Sequence, residues 1–356
     1  EPRWTASTKE GIGTAYHTSS RVWFTISHGI INEIYFPTVD NPNTRDFQLL
    51  VTDGETFFHE ERTDLKSRIE YPEKNTLHYR ITNTAPDNRY SLVKDIICDP
   101  HQTVVQMKVS LRTTNSELRK KIRVYALLAP HIDGIGYENN AAFSDAAGHS
   151  LLHAWRNDTH LVMGALPDFK RRSVGFVGSS DGWSDLHDNF QMDWEYDVAL
   201  DGNTAIMGEL DFSQGHEVTI GVGFGKSHTS ASAALFQSLI HRFDDLKGKF
   251  VRQWQRLDHK HARNEAAAYQ ITGDEGSLYR LSRCILLAHE DKTYQGALVA
   301  SMSIPWGESK GDEDLGGYHL VWPRDLFHSA MALLASGQAE STRRALAYLA
   351  CVQEPD

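Results

Sequence analysis

Apolar residues along this chain change their period once. From about Arg21 to Gly225 they recur at every second position in short runs separated by Asn, Asp, Gly and Pro, the alternation expected of strands with one buried face. Val105, Met107, Val109 and Leu111 share one side, with Gln106, Lys108 and Ser110 on the other. Ile122, Val124, Ala126 and Leu128 repeat the pattern, as do Val218, Ile220, Val222 and Phe224. So many short strands joined by turn residues predict an antiparallel sandwich rather than a parallel sheet. From Ala231 the period lengthens. Leu235, Leu239, Phe243, Leu246, Phe250, Trp254 and Leu257 fall at steps of three and four, which predicts one long connecting helix lying against the sandwich, with Gly248 as its weak point. Further helices are predicted over about 275–291 (Leu278, Leu281, Ile285, Ala288), over 326–336 with Gly337 as its stop, and over 339–353. The last places Ala345, Leu346, Leu349 and Val352 on one side. Between the first two lies a long Gly-rich loop, a place where rigid scaffolds commonly carry a site.

A length of 356 residues allows two or three domains and a large core. Lys and Arg number 36 against 47 acidic residues, a net charge of −11, which argues against a nucleic-acid or anionic-membrane partner. Cys98, Cys284 and Cys351 are an odd count at spacings that suit neither a zinc site nor a disulfide framework. Their apolar surroundings predict buried free thiols. No apolar run reaches the roughly 18 residues of a membrane span, and no basic-then-apolar leader is present. A start at Glu1-Pro2 fits a trimmed export product or an internal boundary, leaving the compartment open with a secreted or periplasmic location favoured.

The chemistry concentrates in Gly317-Tyr318-His319-Leu320-Val321-Trp322-Pro323-Arg324-Asp325. Two aromatics four residues apart offer flat faces for the C–H side of a pyranose, while Arg324 and Asp325 supply forked donors and paired acceptors for vicinal hydroxyls. Pro323 fixes its own backbone and biases Trp322 towards an extended conformation, so the segment should feed a helix starting close to Asp325. A purely structural reading stands beside this: Asp325 caps the helix, Arg324 pairs with an acid and the aromatics fill core. Local spacing alone leaves the two readings even.

Ser303-Ile304-Pro305-Trp306-Gly307, Gly311-Asp312-Glu313-Asp314-Leu315-Gly316-Gly317 and Tyr318 to Asp325 together resemble the opening of the catalytic domain of bacterial glucoamylases and glucodextranases, the family 15 glycoside hydrolases. Upstream, Arg21 to Gly29 (RVWFTISHG) and Asn32 to Pro37 (NEIYFP) resemble the N-terminal domain of the same enzymes. The resemblance implies a multidomain β-then-α chain. An antiparallel β-supersandwich (1–228) would be followed by a helical linker (229–270) and the first helices of an (α/α)6 toroid (271–356) that the chain does not complete. Inward helix faces should then be bare. It implies that Tyr318, Trp322, Arg324 and Asp325 line the subsite for a non-reducing terminal glucose. Tyr318 would stack on the ring, Arg324 and Asp325 would grip its outer hydroxyls, and Trp322 would pack near the catalytic acid. The two catalytic glutamates of the family are expected beyond Asp356, so no catalytic residue is assigned in this chain.

The implied activity is exo-acting hydrolysis of α-glucans with inversion, by a carboxylic acid and a carboxylate about 6.5–9.5 Å apart. The implied partners are an α-glucan or glucose oligosaccharide and the C-terminal remainder of the catalytic domain; no cofactor or metal is implied, and the 356-residue chain alone is expected to be inactive. An inverting disaccharide phosphorylase and a non-catalytic glucan-binding scaffold are the alternatives. Other motifs read as structure. Asp312 with Asp314 is weighed as an acid/base pair and read as loop-ordering or solvated carboxylates, and the same acidic run lacks EF-hand ligand spacing. Gly178-Ser179-Ser180-Asp181-Gly182 fits a nucleophile elbow but sits in a β-rich region and reads as a turn. Gly225-Lys226-Ser227 lacks the first glycine of a phosphate loop, and His28, His289 and His319 read as hydrogen-bonded packing residues.

Overall fold

The computed structural model describes residues 2–257, 269–271, 273–304, 307–309, 311–314 and 316–353. Its strands are β1 (Gly11–Thr14), β2 (Trp23–Ser27), β3 (Ile30–Tyr35), β4 (Thr44–Thr52), β5 (Phe58–Glu60), β6 (Lys66–Glu70), β7 (Tyr79–Thr84), β8 (Tyr90–Cys98) and β9 (Val104–Thr113). They continue with β10 (Arg123–Pro130), β11 (Asn139–Ala146), β12 (His149–Arg156), β13 (Thr159–Leu166), β14 (Arg172–Phe176), β15 (Val198–Gly202), β16 (Thr204–Glu209) and β17 (Glu217–Gly225). One sheet runs β1-β2-β3-β4-β10-β16-β14 with β5 paired to β4; the other runs β15-β11-β12-β13-β17-β9-β8-β7-β6. Every pairing is antiparallel, with Val109 of β9 opposite both Val218 and Lys94.

The alternating positions meet between the sheets. Val105, Met107, Val109 and Leu111 join Val124, Ala126, Leu128, Val218, Ile220 and Phe224 in one continuous core. The outer faces are not simply polar. Leu50, Tyr125, Leu127 and Met207 on the outside of the first sheet are covered by a helix, α3 (Gly182–Asn189), through Leu186. It follows two short helices, α1 (Glu61–Asp64) and α2 (Ser116–Lys121). Val104, Leu151 and Val162 on the outside of the second sheet are covered by α4 (His228–Leu239) through Ala231, Leu235 and Leu239. Gln106, read from sequence as a polar-face residue, is therefore buried and donates to Ser238 Oγ at 2.8 Å. The helix lies so close that a Cβ on Gly221 would stand 2.5 Å from the Leu235 side chain. Glycine is the residue that permits this approach.

The single long helix expected from the Ala231–Leu257 stripe is two helices. After α4 the chain breaks at 240–242, and α5 (Phe243–Gln255) begins from an extended Arg242. Gly248 lies inside α5 without breaking it. The stripe is continuous in sequence but serves two surfaces: Leu235 and Leu239 pack on the outer sheet face, whereas Phe243, Leu246, Phe250 and Trp254 join the central core. The remaining part of the predicted linker, 258–268, lies outside the described residues.

Further along, the described residues include the helices α6 (Ser277–Ala288), α7 (Pro323–Ala335) and α8 (Ala339–Val352). Buried aromatic donors fasten α5, the end of α6 and the loop after it to the sandwich. Trp23 Nε1 donates to Ala288 O at 3.0 Å, Tyr35 Oη to Met302 O at 2.8 Å, and Trp254 Nε1 to Thr14 O at 3.1 Å. Arg344 of α8 grips Glu290 with two hydrogen bonds, at 2.5 and 2.7 Å. Two expectations fail here. Cys351 is exposed, although Cys98 and Cys284 are buried as predicted. The predicted single side of α8 is split, with Ala345 buried and Leu346 and Val352 more than half exposed.

Candidate functional site

The Tyr318–Asp325 segment is a loop that turns into α7. Trp322 is extended (φ −85°, ψ 130°) and Pro323 is the first helical residue, a position whose unpaired N–H costs proline nothing. Asp325 stands in the first helical turn rather than at the cap, and no side chain caps this helix. Its carboxylate is placed where the helix dipole favours negative charge.

The loop alternates in and out. Ser301 N donates to Tyr318 O at 2.9 Å and Ala300 N to Leu320 O at 3.0 Å. These bonds hold a turn in which Tyr318 and Leu320 are exposed and His319 is buried. His319 packs edge-on against Tyr35 of β3, centroids 5.4 Å apart, with its Nε2 at 3.3 Å from the phenol oxygen. Burial pushes the His319 pKa down to about 4, opposed by the nearby Asp40 carboxylate, so the ring is neutral at pH 7. His289 likewise packs through a backbone contact, its Nδ1 at 2.8 Å from Ile285 O, while His28 sits exposed on a turn beside Ser27.

Trp322 presents half its surface to solvent and donates from Nε1 to Gly317 O at 2.8 Å. Arg324 extends into solvent with its Nε 3.8 Å from Asp325 Oδ2. Tyr318, Trp322, Arg324 and Asp325 are thus all displayed at the start of α7 rather than consumed by the core. They are not all in one cavity. A cleft of about 460 Å³ is walled by Trp322, Pro323, Leu320 and His319, while Tyr318, Arg324 and Asp325 lie outside its lining.

The facing wall was not foreseen from sequence. Val39 and Asp40, in the loop after β3 of the sandwich, reach this cleft, as do Asp291 and Tyr294 after α6 and Tyr348 of α8. Asp291 orders both sides, accepting from Val39 N at 2.9 Å through Oδ2 and from Thr293 N and Tyr294 N at 2.7 Å through Oδ1. Asp40 follows the Phe36-Pro37 segment closely, which was the available hint. Nothing local marks it as a neighbour of Trp322, hundreds of residues away in sequence.

Other carboxylates near the loop have structural work. Asp312 is nearly buried, accepts from Gly136 N at 2.7 Å and lies 2.7 Å from His131 Nε2. It orders the loop against the sandwich, as the sequence reading held. Glu308 pairs with Arg62 at 2.7 Å, Glu340 pairs with Arg343, and Glu313 is exposed. Pro305, Trp306, Leu315 and Glu354 lie outside the described residues. Among the described residues no group of three or more His, Cys, Asp or Glu side chains could hold a metal ion. The elbow-like Gly178–Gly182 run joins β14 to α3, with Ser180 Oγ accepting from Phe176 N and Asp181 capping α3. Ser227 caps α4 in a reciprocal box with Ser230.

A two-sheet sandwich continued by helices that carry an aromatic cleft is the class of architecture defined here. The chain belongs to the family described as glucodextranase, domain N, whose profile matches residues 1–259, and it continues into a match to glycosyl hydrolases family 15 over residues 276–352. It is 34% identical over 352 residues to a glucoamylase of Clostridium sp. (strain G0005), covering 99% of this chain and 49% of that protein. It is also similar to the crystal structure of a bacterial glucoamylase complexed with acarbose, with a TM-score of 0.93, 34% identity, and coverage of 99% of this chain and 51% of that one. The chain therefore spans about half the length of these relatives.

Proposed function

We propose that this chain supplies the terminal-sugar subsite of an exo-acting α-glucoside hydrolase of glucoamylase or glucodextranase type. The observation that carries the reading is the outward display of Trp322, Tyr318, Arg324 and Asp325 around the start of α7, on a fold similar at 34% identity to a glucoamylase complexed with acarbose. In this reading Tyr318 stacks on the sugar, Arg324 and Asp325 take its outer hydroxyls, and Trp322 packs near the catalytic acid. Attack by water with inversion is assigned to two glutamates beyond Asp356. The proposed organisation is a sandwich over 1–228, a helical connection over 229–270, and the start of the catalytic domain over 271–356.

The test is glucose release from maltooligosaccharides by the full-length polypeptide. Each charge-assisted hydrogen bond contributes about 1.5–3 kcal/mol, so Arg324→Ala and Asp325→Ala should each lower kcat/KM by at least about ten- to hundredfold. Unchanged glucose release would refute the site assignment. The 356-residue chain alone should bind sugar without turning it over.

A further inference from the structure

On the outer face of the first sheet, apart from the Trp322 cleft, lies a cavity of about 350 Å³. It falls in the range of small-ligand pockets, about 300–1,000 Å³, and is far larger than the roughly 30 Å³ share of a single structural water. Its floor comes from β4, where Asp46 and Gln48 stand two residues apart and so share a face. Both are almost fully buried, at 2% and 3% exposure.

These side chains are only half satisfied. Asp46 Oδ2 accepts from Thr5 Oγ1 and from Arg45 Nε, both at 2.8 Å, while Oδ1 has no partner. Gln48 Nε2 donates to Glu60 Oε1 at 2.8 Å, while Gln48 Oε1 accepts nothing. Arg62 donates from Nη1 to Glu308 Oε1 at 2.7 Å, while its Nε stands in an ion pair 3.6 Å from Glu60 Oε1 without a hydrogen bond, and Trp4 Nε1 has no hydrogen bond. Two acceptors, Asp46 Oδ1 and Gln48 Oε1, and one donor, Trp4 Nε1, thus have no hydrogen bond among the groups lining one cavity, and Arg62 Nε has only a long ion pair. Unpaired buried polar groups are costly and uncommon in native proteins.

The arrangement has a ligand chemistry. Acceptors and donors mixed around one space suit groups that both give and take a hydrogen bond, which is the property of a hydroxyl. Charge disfavours an anion, because the three guanidinium groups of Arg3, Arg45 and Arg62 are matched by the four carboxylates of Asp46, Glu60, Asp181 and Glu308. The indole of Trp183 completes the wall. It is fixed by a 3.2 Å donation to Glu60 Oε2 and by stacking on His187, and aromatic surface of this kind suits a sugar ring. We propose that this cavity is a second saccharide site on the sandwich, taking one ring of a neutral pyranose. Glu308, from the turn just before the Tyr318 loop, closes its rim: its main-chain oxygen accepts from Arg3 Nη1 at 3.1 Å and its carboxylate from Arg62.

The experiment titrates methyl α-D-glucopyranoside and maltose into the 356-residue chain carrying Trp322→Ala, so that failure at the first cleft is kept separate from failure here. Binding should persist in Trp322→Ala. It should weaken by about tenfold or more when Gln48→Leu is added, from the loss of a buried acceptor. A crystal of the unmutated chain soaked in methyl α-D-glucopyranoside should show a ring in contact with Asp46 and Gln48, which holds the test even if Gln48→Leu folds poorly. Loss of all sugar binding in Trp322→Ala, ordered water alone in the soaked cavity, or displacement of the sugar by inorganic phosphate would each overturn the proposal.

Discussion

The sandwich and the helices that follow it treat apolar surface in opposite ways. In the sandwich the central strands of both sheets are covered on both faces, by each other within, by α3 on one outer side and by α4 on the other, and exposed apolar residues such as Phe176, Val198 and Leu200 fall on the edge strands β14 and β15. In α7 one stripe, Leu326, Ala330 and Leu333, is buried. The adjoining stripe, Phe327, Met331 and Leu334, is 46 to 58% exposed. Leu346 and Val352 of α8 and Leu278 of α6 are exposed as well. A helix apolar on two sides is built to be buried on both, and burying each such side chain contributes roughly 1.5–3 kcal/mol. The central strands therefore find their hydrophobic partners within this chain, while the helices bearing the Trp322 cleft leave a whole stripe of theirs exposed.

The comparison is broken most directly by equal truncations on its two sides. Phe24 is fully buried between the sheets, so Phe24→Ala should cost about 3–5 kcal/mol in urea denaturation. A smaller effect is expected where the two regions meet. The buried ring of His319 has a pKa of about 4 against an ordinary value of 6.5, so below pH 6.5 the unfolded chain takes up a proton that the folded chain refuses. Stability contributed here is complete above pH 6.5 and falls as pH drops towards 4. The loss should be about 2 kcal/mol between pH 7 and 5, and His319→Gln should flatten that slope. Smallest of all, Phe327→Ala on the bare stripe should change stability by no more than about 0.5 kcal/mol, while lowering binding of a hydrophobic dye.

The sandwich was readable from sequence because β9, β10 and β17 each point alternate residues into one shared core, and that periodicity is local. The start of α7 was readable because Pro323 constrains both itself and Trp322. The break between α4 and α5 was not, since the three- and four-residue spacing runs unbroken from Leu235 to Trp254. Only the tertiary structure assigns Leu239 to an outer sheet face and Phe243 to the core. The inward turn of His319 and the arrival of Asp40 at the Trp322 cleft depend on long-range packing with Tyr35 and the loop after β3. The cavity over Asp46 and Gln48 was hidden for a related reason: alternation places both on an outer face, but their burial comes from Arg62, Trp4 and Glu308, which are remote in sequence.

Amide hydrogen exchange on the 356-residue chain tests the contrast between a completed sandwich and incompletely covered helices most directly. The account predicts that β10, β17 and β9 exchange only through global opening, and that α7 and α8 exchange at least about a hundredfold faster through local opening. Protection in α7 and α8 equal to that in the central strands would contradict it, because the helices would then be as fully supported by this chain as the sheets are.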